Sequence, residues 1–302
     1  MGQQRVRARY TRREEFLNLA KYCLRPVPLV YACIAPHGGE IVPALAGKKM
    51  RLFSPTRKGM RVLAAAVGEA RPDTIVLASP HNLRLHEHIA VVTAEYSSGS
   101  TAEGRRLIRL RAKCDVKFAK RLAEAGESAG LPVVAANYGV FEGPLSDMAM
   151  DWGTMIPLWF FLRGAHRKSK IVIVTPSREI PLAQNVEFGK VIAETAEGEK
   201  KRVAFVASAD QAHRHQRSGP YGFDNRAAVY DRQVVDLIRH DKLEEIVKMS
   251  KSFVDGARPD SLWQMAMLVG ALSVVPMKAE LVSYQVPTYY GMLCASYKPI
   301  RG

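Results

Sequence analysis

The sequence predicts an α/β three-layer sandwich, with a largely parallel or mixed central sheet and helices on both faces. Short apolar runs rich in β-branched residues, bounded by Pro, Gly or charge, have the composition of strands covered on both faces. Helical patterns lie between them, and that alternation builds parallel sheets. The composition, 47% hydrophobic and 24% charged over 302 residues, is that of a globular chain. A chain of this size buries roughly three quarters of its unfolded surface and needs no staples.

Residues 1–26 form a basic N-terminal extension. Five arginines fall within its first 13 residues, but no apolar segment follows them, and Glu14 and Glu15 count against a transit peptide. The first strand, 27–35, runs into A-P-H-G-G-E at 35–40. A helical pattern over 57–71 stops before Pro72. Strand 74–79 then leads into S-P-H-N at 79–82. After strand 89–94, the stretch 95–104 (E-Y-S-S-G-S-T-A-E-G) is expected to be a flexible loop or hairpin tip. Residues 105–113 alternate apolar and basic side chains, the pattern of a strand with one solvated face. Helices are expected at 114–129, 181–196, 224–239 and 260–273, and strands at 132–137, 170–175 and 202–208. No linker long enough to separate two domains interrupts 27–302, which is expected to be a single domain.

The formal charge of +15 suits a nucleic acid, an anionic small molecule or solubility alone. The basic residues are dispersed and no binding motif organises them, so nucleic acid is not the expected partner. The four cysteines, Cys23, Cys33, Cys114 and Cys294, make no C-x-x-C pair; they read as reduced thiols of a cytoplasmic protein. No run of about 18 apolar residues exists, so no membrane span is expected.

Three strands end at a histidine: His37 after 27–35, His81 after 74–79, and His213 after 202–208. Ligands of open α/β sheets sit beyond the carboxyl ends of the strands, which brings these three to one edge. A lone histidine there is more often a packed residue; three together favour a site. A metal site also needs an anionic oxygen, and Glu280 opens an apolar strand pattern, although on composition alone a salt bridge with Lys278 is the better explanation of it.

These segments, in this order, resemble the class III extradiol ring-cleavage dioxygenases, the type that includes the catalytic subunit of protocatechuate 4,5-dioxygenase. The resemblance spans most of 27–297. It implies metal ligands at His37 (A-P-H-G-G), His81 (A-S-P-H-N) and Glu280 (A-E-L-V-S-Y), and a catalytic acid–base at His213 (S-A-D-Q-A-H). The segment G-P-Y-G-F-D-N-R-A-A-V-Y-D resembles a family loop and helix carrying Asp224 and Asp231. The implied cofactor is Fe(II), with zinc as a substitute in crystals, because two imidazoles and one carboxylate on one face of iron leave the opposite positions open. The implied reaction opens a catechol-type ring, carboxylated in some cases, with O2, in a homo-oligomeric protein. Asp210 is expected to orient His213 and, with Asp151 and Trp152, to contact substrate. Trp152 departs from the family motif, which commonly reads Asp-His-Gly there; an indole stacks and donates one hydrogen bond but moves no proton. A second reading is a Memo-like metal-binding or interaction protein of the same fold without ring cleavage. A zinc hydrolase would use a similar ligand set, but no H-E-x-x-H helix supports it.

Overall fold

Strands whose every residue is apolar persist only where both faces are covered, and such runs make the centre of this molecule. The computed structural model describes residues 28–163 and 168–300. The extension expected over 1–26 lies outside the described residues, as does His166.

In chain order the strands are β1 (Leu29–Ala35), β2 (Thr74–Ala78), β3 (Ile89–Val92), β4 (Tyr96–Glu103), β5 (Arg106–Lys113), β6 (Val133–Ala136), β7 (Asp147–Ala149), β8 (Lys170–Thr175), β9 (Val203–Ser208), β10 (Met277–Gln285) and β11 (Met292–Pro299). The α-helices are α1 (Ser54–Ala70), α2 (Val116–Ser128), α3 (Trp152–Phe161), α4 (Leu182–Gly198), α5 (Asn225–Arg239), α6 (Lys251–Ala257) and α7 (Leu262–Val274). The large sheet runs β10-β11-β1-β9-β2-β8-β3-β6. Its middle, β1-β9-β2-β8, is parallel throughout. β3 joins β8 antiparallel, and the β10–β11 hairpin joins β1 antiparallel through β11. The sheet is therefore mixed, as expected.

Each face has its own core. On one side α2, α4, α5 and α7 bring Phe118, Phe188, Tyr230 and Met265 onto the strands. On the other, α1, α3 and a small β5-β4-β7 sheet contribute Met60, Phe161 and Ile108. Helix α4 crosses α7 so closely that a Cβ on Gly189 would stand 1.9 Å from the Met267 carbonyl oxygen, and one on Gly270 1.8 Å from that of Val186. Only glycine fits either place.

Residues 95–104 are a correction. They are not a loop but β4, paired with β5 along its whole length and with β7 on its other side. Ser and Gly are weak strand formers, and cross-strand pairing overrides that preference here. The hairpin tip is confined to Gly104 and Arg105, with Gly104 at φ 59°.

Candidate functional site

Because β1, β9, β2 and β8 are parallel neighbours, they end at one edge. Two or three residues past those ends stand His37, Asp210, His81 and Arg178. Asp260 arrives by another route. Helix α6 ends at Arg258 in the left-handed region (φ 55°), Pro259 follows, and Asp260 enters the site just ahead of α7.

His37 is 1% exposed. Its Nε2 lies 3.3 Å from His81 Nε2 and 3.3 Å from Asp260 Oδ2, while His81 Nε2 lies 3.1 Å from the same oxygen. These three donor atoms all fall within 4.8 Å of one another. Asp210 Oδ2 is 3.4 Å from His37 Nε2, and His213 Nε2 is 4.0 Å from Asp260 Oδ2.

The tautomer of His37 follows from a chain of hydrogen bonds. Pro157 sits inside α3 and has no N–H, so the carbonyl four residues earlier, on Gly153, lacks its helical donor. Ser208 Oγ donates to that oxygen at 2.5 Å. Its one proton spent, Ser208 Oγ accepts from His37 Nδ1 at 3.0 Å. Nδ1 therefore carries a proton, and Nε2 faces His81 and Asp260. A metal-ligating histidine is ordinarily oriented in this way by a partner on its other nitrogen.

Burial would lower the His37 pKa, but the carboxylates of Asp210 and Asp260 outweigh it and hold the ring up at about 9. Burial, with Asp260 adding to it, raises Asp210 to about 6, although His37 partly offsets this. Asp260 is held below the usual carboxylate range, because His37 and His81 outweigh its burial. The same negative charge that favours a proton on His37 favours a divalent cation, which would displace the Nε2 proton and be held by the two imidazole nitrogens and the Asp260 carboxylate. Two nitrogens and one carboxylate oxygen come together, and these three could hold a metal ion.

Of the expected site residues, His37, His81, Asp210, His213 and Trp152 line one pocket of about 420 Å³. Trp152 is 53% exposed, and its ring stacks on His81 at 4.4 Å. His213 stacks on Tyr290 at 5.3 Å, and its Nδ1 is buried without a hydrogen-bond partner among the described residues. Four expectations are corrected. Glu280 is exposed on the outermost strand β10, in register with Ser296 and hence with Cys33, at mid-sheet rather than at the site edge. The carboxylate beside the two imidazoles is Asp260. Its place between α6 and α7 makes it look like a helix-capping residue in the sequence. Asp151 caps α3 and accepts from Ser79, Asn82 and Thr154, so its oxygens are committed to holding that helix against the His81 loop rather than to a ligand. Asp210 accepts from the His37 backbone N–H at 3.1 Å rather than from the His213 ring. Nor does Lys278 pair with Glu280; its partner is Asp241.

Asp224 and Asp231 stand outside the pocket. Asp224 caps α5 and holds Arg226. Asp231, fully buried, accepts from the Ala212 N–H, His215 Nε2 and Tyr284 Oη, which secures the segment carrying His213.

A sequence model of the family described as "Catalytic LigB subunit of aromatic ring-opening dioxygenase" matches residues 31–295. The chain belongs to this LigB family. The match runs from within β1 to within β11. Among curated proteins, the LigB-family chain is 23% identical over 253 residues to Protein CA_C1420 of Clostridium acetobutylicum, covering 83% of this chain and 54% of that one. It thus spans about half the length of that relative. Among solved structures it is similar to the uncharacterized protein JW3007 from Escherichia coli K12, with a TM-score of 0.55 at 16% identity, over 88% of this chain and 99% of the other. That likeness is one of fold. No helix among the described residues is long and apolar enough to cross a membrane.

Proposed function

We propose that the protein is a non-haem Fe(II)-dependent extradiol dioxygenase that opens the ring of a catechol-type aromatic beside its diol, incorporating both atoms of O2. The observation that carries this reading is the convergence of His37, His81 and Asp260 at the strand edge of a LigB-family chain. When bound, the iron would hold the diol oxygens and activate O2 at its open positions. The rest falls to the protein. Ser208 keeps the proton of His37 on Nδ1. Asp210 grips the His37 backbone. His213 takes a proton from a diol hydroxyl and returns one as the ring opens. Tyr290 supports the His213 ring, and Trp152 supplies an apolar wall that limits access of water to His81.

A second reading is a Memo-like metal-binding or interaction protein without turnover. It is favoured by Trp152, which stacks where the resembling enzymes carry a second proton-transferring histidine. The deciding experiment is anaerobic reconstitution with Fe(II), admission of air, and a catechol panel scanned for a yellow ring-opened product. Bound iron with no product from any catechol would favour the second reading.

A further inference from the structure

Segment 137–146 (N-Y-G-V-F-E-G-P-L-S) connects β6 to β7 and presents apolar side chains that belong to neither core. Phe141 is 89% exposed, Leu145 74% and Tyr138 68%. They do not sit on a slack loop. The Asn137 side chain donates to the carbonyls of Val140 and Phe141 at 3.2 and 3.3 Å, and accepts from the Tyr138 N–H and the Ser146 hydroxyl. Gly139 bridges to Ser146 across the loop. Hydrogen bonds that fix a cluster of apolar side chains in water mark a contact surface rather than stray exposure.

The ground beside this projection is cationic. On β5, Ile108, Leu110 and Ala112 face the core while Arg109, Arg111 and Lys113 point outward. Arg111 crosses the Tyr96 ring at 3.9 Å and reaches Asp147 and the Pro144 carbonyl, so the strand abuts the loop. Arg109 and Lys113 make no ion pair among the described residues. Glu142 is the only charge within 137–146. Apolar rings beside a row of unpaired cations make the two halves of an interfacial membrane contact. The rings enter the boundary between headgroups and acyl chains, and the cations meet anionic headgroups.

We propose that this face docks on an anionic lipid bilayer, with Tyr138, Phe141 and Leu145 entering its interface and Arg109 and Lys113 above the phosphates. The protein would lie on the bilayer without spanning it. A protein partner fits less well. A specific interface engages about 20–30 residues a side, whereas only a short apolar projection is offered here. A two-fold contact centred on Phe141 would also bring together two chains that each carry a formal charge of +15. The proposal is independent of ring cleavage. β3 is antiparallel to β8 and parallel to β6, so β6 ends, and the loop begins, at the sheet edge opposite His37 and His81. A docked molecule therefore holds its pocket clear of the bilayer.

The test is sedimentation of the full chain with vesicles of phosphatidylcholine alone, or of phosphatidylcholine mixed with phosphatidylglycerol. Binding is expected to the mixed vesicles only, and should weaken as added salt screens the headgroups. Phe141→Asp with Leu145→Asp should lower the partition coefficient at least about tenfold, and Arg109→Gln with Lys113→Gln by roughly 10- to 30-fold. All four side chains are exposed, so both variants should melt as the wild type does. In a Phe141→Trp variant, mixed vesicles should shift the added indole emission to shorter wavelength, a direct sign of entry into the interface. Failure of the wild-type chain to sediment with mixed vesicles overturns the proposal. Full binding by the Phe141→Asp, Leu145→Asp variant also overturns it, by reducing the contact to adsorption of a basic protein. A wild-type dimer in ultracentrifugation that this variant dissociates, with no vesicle binding, assigns the face to a second copy instead.

Discussion

At the scale of single residues, the site separates into groups with distinct signatures. His37→Ala or Asp260→Ala removes one of three converging donors, and either should abolish stoichiometric Fe(II) or Zn(II) binding in equilibrium dialysis. Glu280→Ala should leave that binding intact, because Glu280 is exposed at mid-sheet. Ser208→Ala leaves the ligands in place but frees the His37 proton to move to Nε2; metal affinity should drop about 10- to 100-fold. His213→Ala should retain metal and lose turnover by about 10²- to 10⁴-fold, the range for a general acid–base group. A variant lacking His213 that turned over normally would move the proton role elsewhere in the pocket. Much of this was legible beforehand. Each histidine follows a strand of β-branched residues, and strand ends converge. Asp260 was not, because nothing local distinguishes a ligand from a capping Asp at the head of α7. Only the left-handed exit of α6 carries it into the pocket, and that arises from tertiary packing.

At the scale of elements, helices and buried strands were readable because a run of β-branched residues or a helical apolar stripe has one stable environment. β4 was misread for the converse reason: its Ser and Gly residues become a strand only through β5 and β7. Two elements yield sharp tests. A mid-helix glycine usually costs stability, so Gly→Ala normally helps. At the α4–α7 crossing the sign should reverse. Gly270→Ala would force the helices apart, and a loss of about 3 kcal/mol in denaturant melts is expected. The second test is pH dependence at the start of α2. Asp115 is the N-cap there and is held by Thr74 at 2.5 Å and by Lys201. Burial would raise its pKa, but the Lys201 and Thr74 bonds outweigh it and hold it below the usual range. A group with a depressed folded pKa contributes stability that is present above its unfolded value near 3.9 and lost as the pH falls below it. Asp115→Asn keeps a capping side chain and loses the charge. It should cost on the order of 2 kcal/mol at pH 7 and progressively less toward pH 3, measured as the difference between variant and wild-type melts.

At the scale of the whole molecule, the ligands come from β1, β2 and the α6–α7 junction, so an ion at this site would tie together parts of the chain that are far apart in sequence. A cation bound only by the folded state stabilises it by mass action, about 2.7 kcal/mol at a hundredfold excess over Kd. The melting temperature should therefore climb with Zn(II) concentration in the wild-type protein and stay flat in His37→Ala. The position of β1 has a different consequence, one for biogenesis. This strand is the first described element, yet it hydrogen-bonds to β9 and β11, whose pairing residues begin at Leu29↔Val203 and Ala32↔Tyr297. During synthesis its two edges stay unpaired until roughly 170 and then 260 further residues have left the ribosome, counting along those same registers. The nascent β1 thus lacks its native partners while that intervening chain is made. Slow codons or chaperone contacts that protect this early segment would raise the yield of native protein more than any change near its C-terminal hairpin.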